Sequence, residues 1–521
     1  MWYMSIKYCK SIGFFGFIII LCLTNSSLAQ NKKNSGNKRS SPSTGDFRER
    51  TLRTDKFNNV DVCQAQILIK ISEPLLASEI KLLKTEFKKK GLLIDIESLS
   101  PANIYLIQAL DNKVSTSDFF QVLQFILNNN RIFGDSQKDA IIEPNYLIHG
   151  QPDTITGSID CSASCHTMSS RDWGLRKIKA PQVWYEFQTT GDKNNVVAIL
   201  DHGVDYTHDD LKNNLWKAQK PFKVSIENLR KTTCPAGTHG VDFWALQAKD
   251  LCNPFDRGNG SHGTKAAGII GANGKILGVN KNIRLLPIRV LNRDVKGCVS
   301  NVIRGWEFII RMKKEFPNDL GKKTIIVNNS YSFDEVPPDK VQVLKCAVQR
   351  TISEGLLLIA SAGNDNGIDI AEDKNPRYPA SISSPNLIAV AATDENDIII
   401  PTSNIGPKTV QLAAPGKDIC TTVRLDGYNC FNQTSAAAAF VSGAAALLLS
   451  ACPELTNNQI KRYLEEKAFS NRGALNTFVV KGRVDIFEAV KSCRKKELHN
   501  FNPVFTSFNI SELYLSQIPF E

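Results

Sequence analysis

The chain has 521 residues, of which 42% are hydrophobic and 22% charged. That length exceeds one compact core and suits two folded domains with tails. The composition excludes a disordered chain, and no stretch after residue 30 reads as a membrane span. The formal net charge is +11, and much of the excess is local, since residues 31–60 carry eight Lys/Arg against three Asp/Glu. Only Phe47 and Phe57 interrupt those charges. A solvated leader over residues 30–60 fits them better than a nucleic-acid-binding arm.

Lys7 and Lys10 precede an apolar run from Ile12 to Leu23, and Ser27-Leu28-Ala29 follows with small residues. The run is short for a membrane span and suits a cleaved signal peptide over residues 1–29, which sends the chain into the secretory pathway. Of thirteen cysteines, Cys9 and Cys22 leave with the signal and Cys63 stands alone in the early region. Ten lie beyond residue 150, an even number that predicts disulfides in a secreted chain. Cys234 with Cys252, and Cys420 with Cys430, are close enough to close short loops. Cys161, Cys165 and His166 find no second cluster to complete a zinc site.

Residues 61–149 have a β-α-β-β-α-β rhythm. Residues 64–71 (QAQILIKI) alternate as a strand, and residues 77–90 carry Ile80, Leu82, Leu83 and Phe87 at helical spacing before Gly91. Residues 92–99 and 104–110 read as strands, 115–127 as a second helix and 140–143 as a last strand. This order predicts a small ferredoxin-like α+β domain. Residues 146–180 lack periodicity, which makes 150–180 a linker.

A larger domain spans residues 181–493. Its strands are unbroken apolar runs at 196–200, 283–290, 324–327, 356–360 and 387–392. Such runs suit a parallel sheet buried on both faces. Helical patterns at 300–316 and 341–353 alternate with them, so the fold class is α/β with a doubly wound, mostly parallel sheet. Sites in such sheets form at the carboxyl ends of strands. Residues 494–521 form a tail with no clear element.

Four segments carry chemistry. Asp201 directly follows the run 195–200 and is itself followed by His202 and Gly203; a buried acid there needs a partner. His262 sits in NGSHGTKAAG, where small residues allow close backbone approach. Ser435 opens a helix that is apolar all round, where the helix N-terminus stabilises negative charge. Asn364 follows the strand LIASAG and offers a side-chain donor. A serine at a helix start is ordinarily a cap, and an asparagine after a strand ordinarily a turn residue.

Together these segments resemble the signature blocks of the subtilisin-like serine proteases: Asp-x-Gly after a strand, His-Gly-Thr-x-x-Ala-Gly, Ala-Gly-Asn, and Thr-Ser-x-Ala opening an alanine-rich helix. The chain order Asp, His, Ser agrees. An α/β-hydrolase site would need G-x-S-x-G and the order Ser, Asp, His. The resemblance covers residues 170–490, and residues 64–148 more loosely resemble the family's inhibitory prodomain. It implies a secreted endopeptidase made as an inactive precursor, with Asp201, His262 and Ser435 as catalytic triad and Asn364 in the oxyanion hole. Ser330, Tyr331 and Ser332 would pair with substrate backbone, facing Ala360, Ser361, Ala362 and Gly363 across the specificity pocket. Its partners would be protein or peptide substrates and its own prodomain. The chemistry needs no cofactor; the family often binds structural calcium, and Asp205, Asp209 and Asp210 are carboxylates without an assigned site. Asp365, beside Asn364, favours a polar or basic residue before the scissile bond. Three residues depart from the family pattern: Gln433 stands for the usual Gly, Ala439 for the usual Pro, and His202 where the family often has Thr, Ser or Asp. A catalytically inactive binding scaffold is the alternative they leave open.

Overall fold

The computed structural model describes residues 52–129, 132–133, 140–149, 172–226, 230–258, 260–320, 324–334, 336–470 and 475–500. The signal segment, most of the basic leader, most of the linker and the last twenty-one residues lie outside that set.

The N-terminal domain runs β1 (Thr54–Phe57), β2 (Val60–Lys70), α1 (Ala77–Lys89), β3 (Ile94–Ser100), β4 (Ile104–Ala109), α2 (Thr116–Asn129) and β5 (Ile141–His149). The strands lie in the order β5-β2-β4-β3, every neighbouring pair antiparallel. Side chains of β2 alternate between two cores. Ile67 and Ile69 pack with Leu83 and Phe87 of α1 and Phe119 and Leu123 of α2. Leu68 faces the second domain. Two boundaries differ from the sequence reading. The leader is not wholly irregular, because β1 pairs with β2 along its edge. The last strand extends to His149, where the sequence pattern stopped at residue 143.

The second domain opens with α3 (Trp173–Lys177), a short helix where a linker was expected, and α4 (Ala180–Glu186). Then come β6 (Val196–Asp201), the antiparallel ribbon β7 (Phe222–Ile226) and β8 (Arg230–Cys234), β9 (Val241–Asp242), α5 (His262–Gly271), β10 (Arg284–Arg289) and β11 (Lys296–Cys298). α6 (Val299–Glu315), β12 (Ile325–Asn329), β13 (Phe333–Asp334), α7 (Gln342–Ser353), β14 (Leu356–Ser361), β15 (Arg377–Tyr378) and β16 (Leu387–Thr393) follow. The chain continues through β17 (Leu412–Pro415), β18 (Ile419–Val423), β19 (Gly427–Phe431), α8 (Gln433–Ala451), α9 (Asn457–Glu466), β20 (Gly482–Arg483) and α10 (Ile486–Asn500). Eight of these strands form one sheet, ordered β20-β17-β16-β14-β12-β6-β10-β9 and parallel throughout. Successive residues of β6 enter opposite cores. Val196, Ala198 and Leu200 pack in one with Val302 and Trp306 of α6, and Val197 and Ile199 in the other with Ala266 of α5 and Ala437 of α8. This is the doubly wound α/β class. α8 is long and apolar enough to cross a membrane by composition, yet 94% of it is buried inside the fold. α10 carries regular structure to Asn500, past the expected end of the domain.

Cysteine pairing departs from the expected grouping. Cys234–Cys252 closes a short loop as anticipated, and Cys420 and Cys430, opposite each other in the β18–β19 ribbon, are both disulfide-bonded. Cys452–Cys493 adds a third bridge. Cys63 is bonded to Cys298, joining the N-terminal domain to the second domain.

β5 binds the second domain from Glu143 to His149. Leu147, Ile148 and His149 pair antiparallel with Cys298, Gly297 and Lys296, and His149 also exchanges two backbone hydrogen bonds with Ser332 (2.7 and 2.8 Å). The N-terminal amides of two second-domain helices find acceptors on β5. Asn145 Oδ1 accepts from the Ser300 amide of α6 at 3.0 Å. The Glu143 carboxylate accepts from the Gln342 and Val343 amides of α7 at 2.5 and 3.1 Å. The N-cap side chains of α6 and α7 make no such bond, so acceptors from another domain satisfy these donors. Arg304 forks onto Glu97 at 3.0 and 2.5 Å, and Ser100 Oγ donates to Glu307 at 2.5 Å.

Burial raises the Glu143 carboxyl from 4.5 to about 7, against the opposing pull of the two amides. A carboxyl raised on folding stabilises the fold below its unfolded value, and that contribution is lost as pH rises through the folded one. The full chain is therefore expected to lose on the order of 3 kcal/mol between about pH 4.5 and 7 from this group. Glu143→Gln should remove that component, read as a flatter melting temperature between pH 4.5 and 8. An unchanged slope would show that other groups carry the pH dependence.

Candidate active site

Three adjacent strands, β6, β12 and β14, end at one edge of the sheet, and the predicted residues gather there. Asp201 is the last residue of β6 and fully buried. Its Oδ1 accepts the His202 amide at 2.8 Å, and its Oδ2 lies 2.8 Å from His262 Nδ1. His262 is the first residue of α5, after Ser261 in the left-handed region (φ 53°). Its Nε2 lies 3.0 Å from Ser435 Oγ. The chain Asp201–His262–Ser435 is thus closed by two hydrogen bonds between residues 61 and 173 positions apart. The Phe431 ring meets the imidazole edge-on at 5.0 Å.

Close packing at glycines lets α5 reach Asp201. A Cβ on Gly263 would stand 2.1 Å from the Gly203 carbonyl oxygen and 3.0 Å from Asp201 Cβ. The small residues around His262 therefore meet a steric demand.

A second histidine lies behind the first. The His262 amide donates to His202 Nε2 at 2.9 Å, so the other ring nitrogen carries the proton in that tautomer. His202 Nδ1 lies 3.1 Å from Asp256 Oδ1. Burial opposes charge on His202, but the Asp256 carboxylate outweighs it and raises the ring's proton affinity. Asp256 also accepts from Thr264 Oγ1 (2.5 Å) and the Gly258 amide (3.0 Å). The sequence marked His202 only as an unusual neighbour of Asp201, and nothing in the pattern pointed to Asp256.

Ser435 is the third residue of α8, among the first amides that lack an intrahelical partner. Asn364 faces this turn: its Oδ1 accepts from the Thr434 amide at 3.0 Å and from Thr434 Oγ1 at 2.8 Å. Those donors fix the orientation of the carboxamide, so the atom 3.1 Å from Gln433 Oε1 is the Asn364 nitrogen. Gln433 has φ 74°, a left-handed conformation, with its amide donating to Gly416 O at 2.6 Å. Glycine adopts this conformation freely, which explains its use there in the signature block. Here a side chain is carried instead, and it takes the Asn364 donor. Ala439 is fully buried in the same helix.

Ser330, Tyr331 and Ser332 follow β12, and Ser332 holds the β5 strand end. Tyr331 turns inward, its hydroxyl donating to Asn329 Oδ1 at 2.6 Å. Ala360, Ser361, Ala362 and Gly363 run along the end of β14 on the neighbouring strand, all buried or at φ 95° for Gly363. The suggestion that Asp365 presents a charge to substrate is not upheld. Its Oδ2 accepts from Arg377 Nε at 2.9 Å and from Asn404 Nδ2 at 2.7 Å, so its charge is already paired. The candidate calcium carboxylates do not converge, and no metal-like group of acidic, His or Cys side chains occurs among the described residues. Asp210 accepts the Lys275 and Ile276 amides, Asp205 the Thr207 and Leu425 amides, and Asp209 pairs with Lys212.

Fold and site together define a parallel α/β protein with a Ser–His–Asp constellation at the carboxyl ends of its strands. Residues 192–491 match the model of the subtilase family, and the chain belongs to that family. It is 30% identical over 286 residues to subtilisin-like protease 2 of Plasmodium falciparum, which covers 54% of this chain and 19% of that protein. It is 26% identical over 343 residues to subtilisin-like protease 1 of Plasmodium berghei, covering 61% and 53%. It is 30% identical over 299 residues to subtilisin amylosacchariticus of Bacillus subtilis, covering 57% and 65%. The chain spans less than two thirds of the length of each of these relatives.

Gly263→Ala is expected to push α5 away from Asp201, since the nearest obstructing atom is the Gly203 carbonyl oxygen and the next two belong to the buried Asp201 side chain. Its melting temperature should fall by several degrees, corresponding to roughly 1–3 kcal/mol. Retention of the parent's stability would show that the approach of α5 is not tight.

Proposed function

We propose that the protein is a serine endopeptidase of the secretory pathway, made as a self-processing precursor. The observation that carries this reading is the hydrogen-bonded chain from Ser435 Oγ through His262 to Asp201. Ser435 attacks the scissile carbonyl as His262 Nε2 takes its proton. Asp201 holds the imidazole in the tautomer with the proton on Nδ1 and stabilises the imidazolium that forms. His262 then gives the proton to the leaving amine, and water repeats the sequence on the acyl-enzyme. The Asn364 side chain and the Ser435 amide receive the negative charge of the tetrahedral oxygen, once Gln433 yields the Asn364 donor. This chemistry uses side chains and backbone alone.

Substrates are protein or peptide segments in extended form, added as a strand beside Ser330–Ser332. The N-terminal domain supplies the template for that pose, with His149 on Ser332 and Lys296. Its strand order is that of a ferredoxin-like sandwich, and it serves as inhibitory prodomain, its tail being the first substrate. Because β5 is held as far as His149, the cut falls between residues 150 and 160. Disulfides joining distant elements favour an oxidising compartment.

An inactive binding scaffold is the second reading, favoured by the Gln433 contact on Asn364. Three variants decide between them. Ser435→Ala should leave the precursor uncut and without peptidase activity. Asn364→Ala should lower kcat ~10²–10³-fold with KM little changed. Gln433→Gly should raise kcat in the parent and have no effect in the Asn364→Ala background. A parent with no turnover, in which Gln433→Gly restores none, would establish the scaffold.

A further inference from the structure

Backbone cleavage after His149 does not by itself free the N-terminal domain, because Cys63 of β2 is bonded to Cys298 of β11. The two cysteines are 235 positions apart and lie on opposite sides of any cut between residues 150 and 160. We propose that the processed protein is a two-chain molecule in which the cleaved prodomain stays covalently attached, and that its release requires reductive opening of Cys63–Cys298. The inference rests on the self-processing reading above.

The bridge stands beside the inhibitory contact. Val62, next to Cys63, pairs with Tyr146 of β5, and Cys298 pairs with Leu147. Both sulfurs belong to a buried cluster with Leu147 and Trp244, and the two cysteines are 1% and 6% exposed. A tether this short holds the prodomain at millimolar or higher effective concentration, so a dissociated prodomain docks again before diffusing away. An untethered prodomain would leave on dilution; this one does not.

Opening the tether consumes one dithiol. Its thiolate attacks one sulfur of the bridge, expelling the other cysteine as thiolate and forming a mixed disulfide. The second thiol of the reagent resolves that intermediate. The dithiol is oxidised by two electrons to its disulfide, and Cys63 and Cys298 end as two thiols. Burial shields both sulfurs, so exchange waits on opening of the β5–β11 edge.

The experiment compares the processed full-length parent with the double variant Cys63→Ser/Cys298→Ser on denaturing gels with and without dithiothreitol. Without reductant, the parent's two fragments should migrate together, and with it separately; the double variant's should separate in both lanes. After hundredfold dilution, peptidase activity should rise in the double variant at once and in the parent only after dithiothreitol. Parent fragments that separate without reductant would overturn the tether. If the parent is never cut, the processing reading fails on its own. Mass spectrometry of the uncut chain then tests the tether: a Cys63–Cys298 crosslinked peptide supports it, and its absence overturns it.

Discussion

Everything at the site depends on holding one imidazole between two buried partners. Asp201 comes from β6, His262 from the start of α5 and Ser435 from the start of α8, segments that meet only in the folded chain. The parallel sheet fixes the first, and the apolar helices packed on one of its faces fix the other two. Gly263 permits the approach, and the His202 ring receives the amide of His262 from behind. An acid buried like Asp201 would be costly without the imidazole and the His202 amide that bond its two oxygens. Structure and chemistry thus share the same hydrogen bonds.

The N-terminal domain is part of the same architecture. Glu143 and Asn145, two residues apart on β5, satisfy amides at the starts of α7 and α6. Without β5 those helix starts would need water or other partners. The apolar face of the N-terminal sheet, with Leu68 and Leu106, joins the core that contains Trp306. The domain whose His149 pairs with Ser332 also supplies acceptors to the starts of two helices of the second domain. The packing of the two domains and the proposed inhibition draw on one interface, and the Cys63–Cys298 bridge lies within it.

Much of this was legible in the sequence for identifiable reasons. The runs ending at Leu200, Ala360 and Ala392 are apolar without alternation, because a parallel sheet is covered on both faces. Gly91 follows α1 with φ 77°, a conformation that suits glycine after a helix. The four chemical residues stood out because small residues and strand ends surround them. What escaped the sequence depends on long-range geometry or on edges. β1 is a polar, half-exposed edge strand, and α10 ends in a charged stretch with no apolar stripe. The Cys63–Cys298 pair spans 235 positions. The Gln433 contact follows from a left-handed backbone that throws its side chain onto Asn364. The pairing of Asp365 with Arg377 is likewise a tertiary contact that nearest-neighbour reasoning could not supply.

Whether Ser435 is a nucleophile activated by His262 is decided by treating the processed, reduced and diluted protein with a fluorophosphonate and mapping the adduct by mass spectrometry. A single stoichiometric adduct on Ser435 is expected, lost in a His262→Ala variant whose fold is intact. No adduct on the released catalytic chain, or an adduct undiminished by His262→Ala, would contradict it.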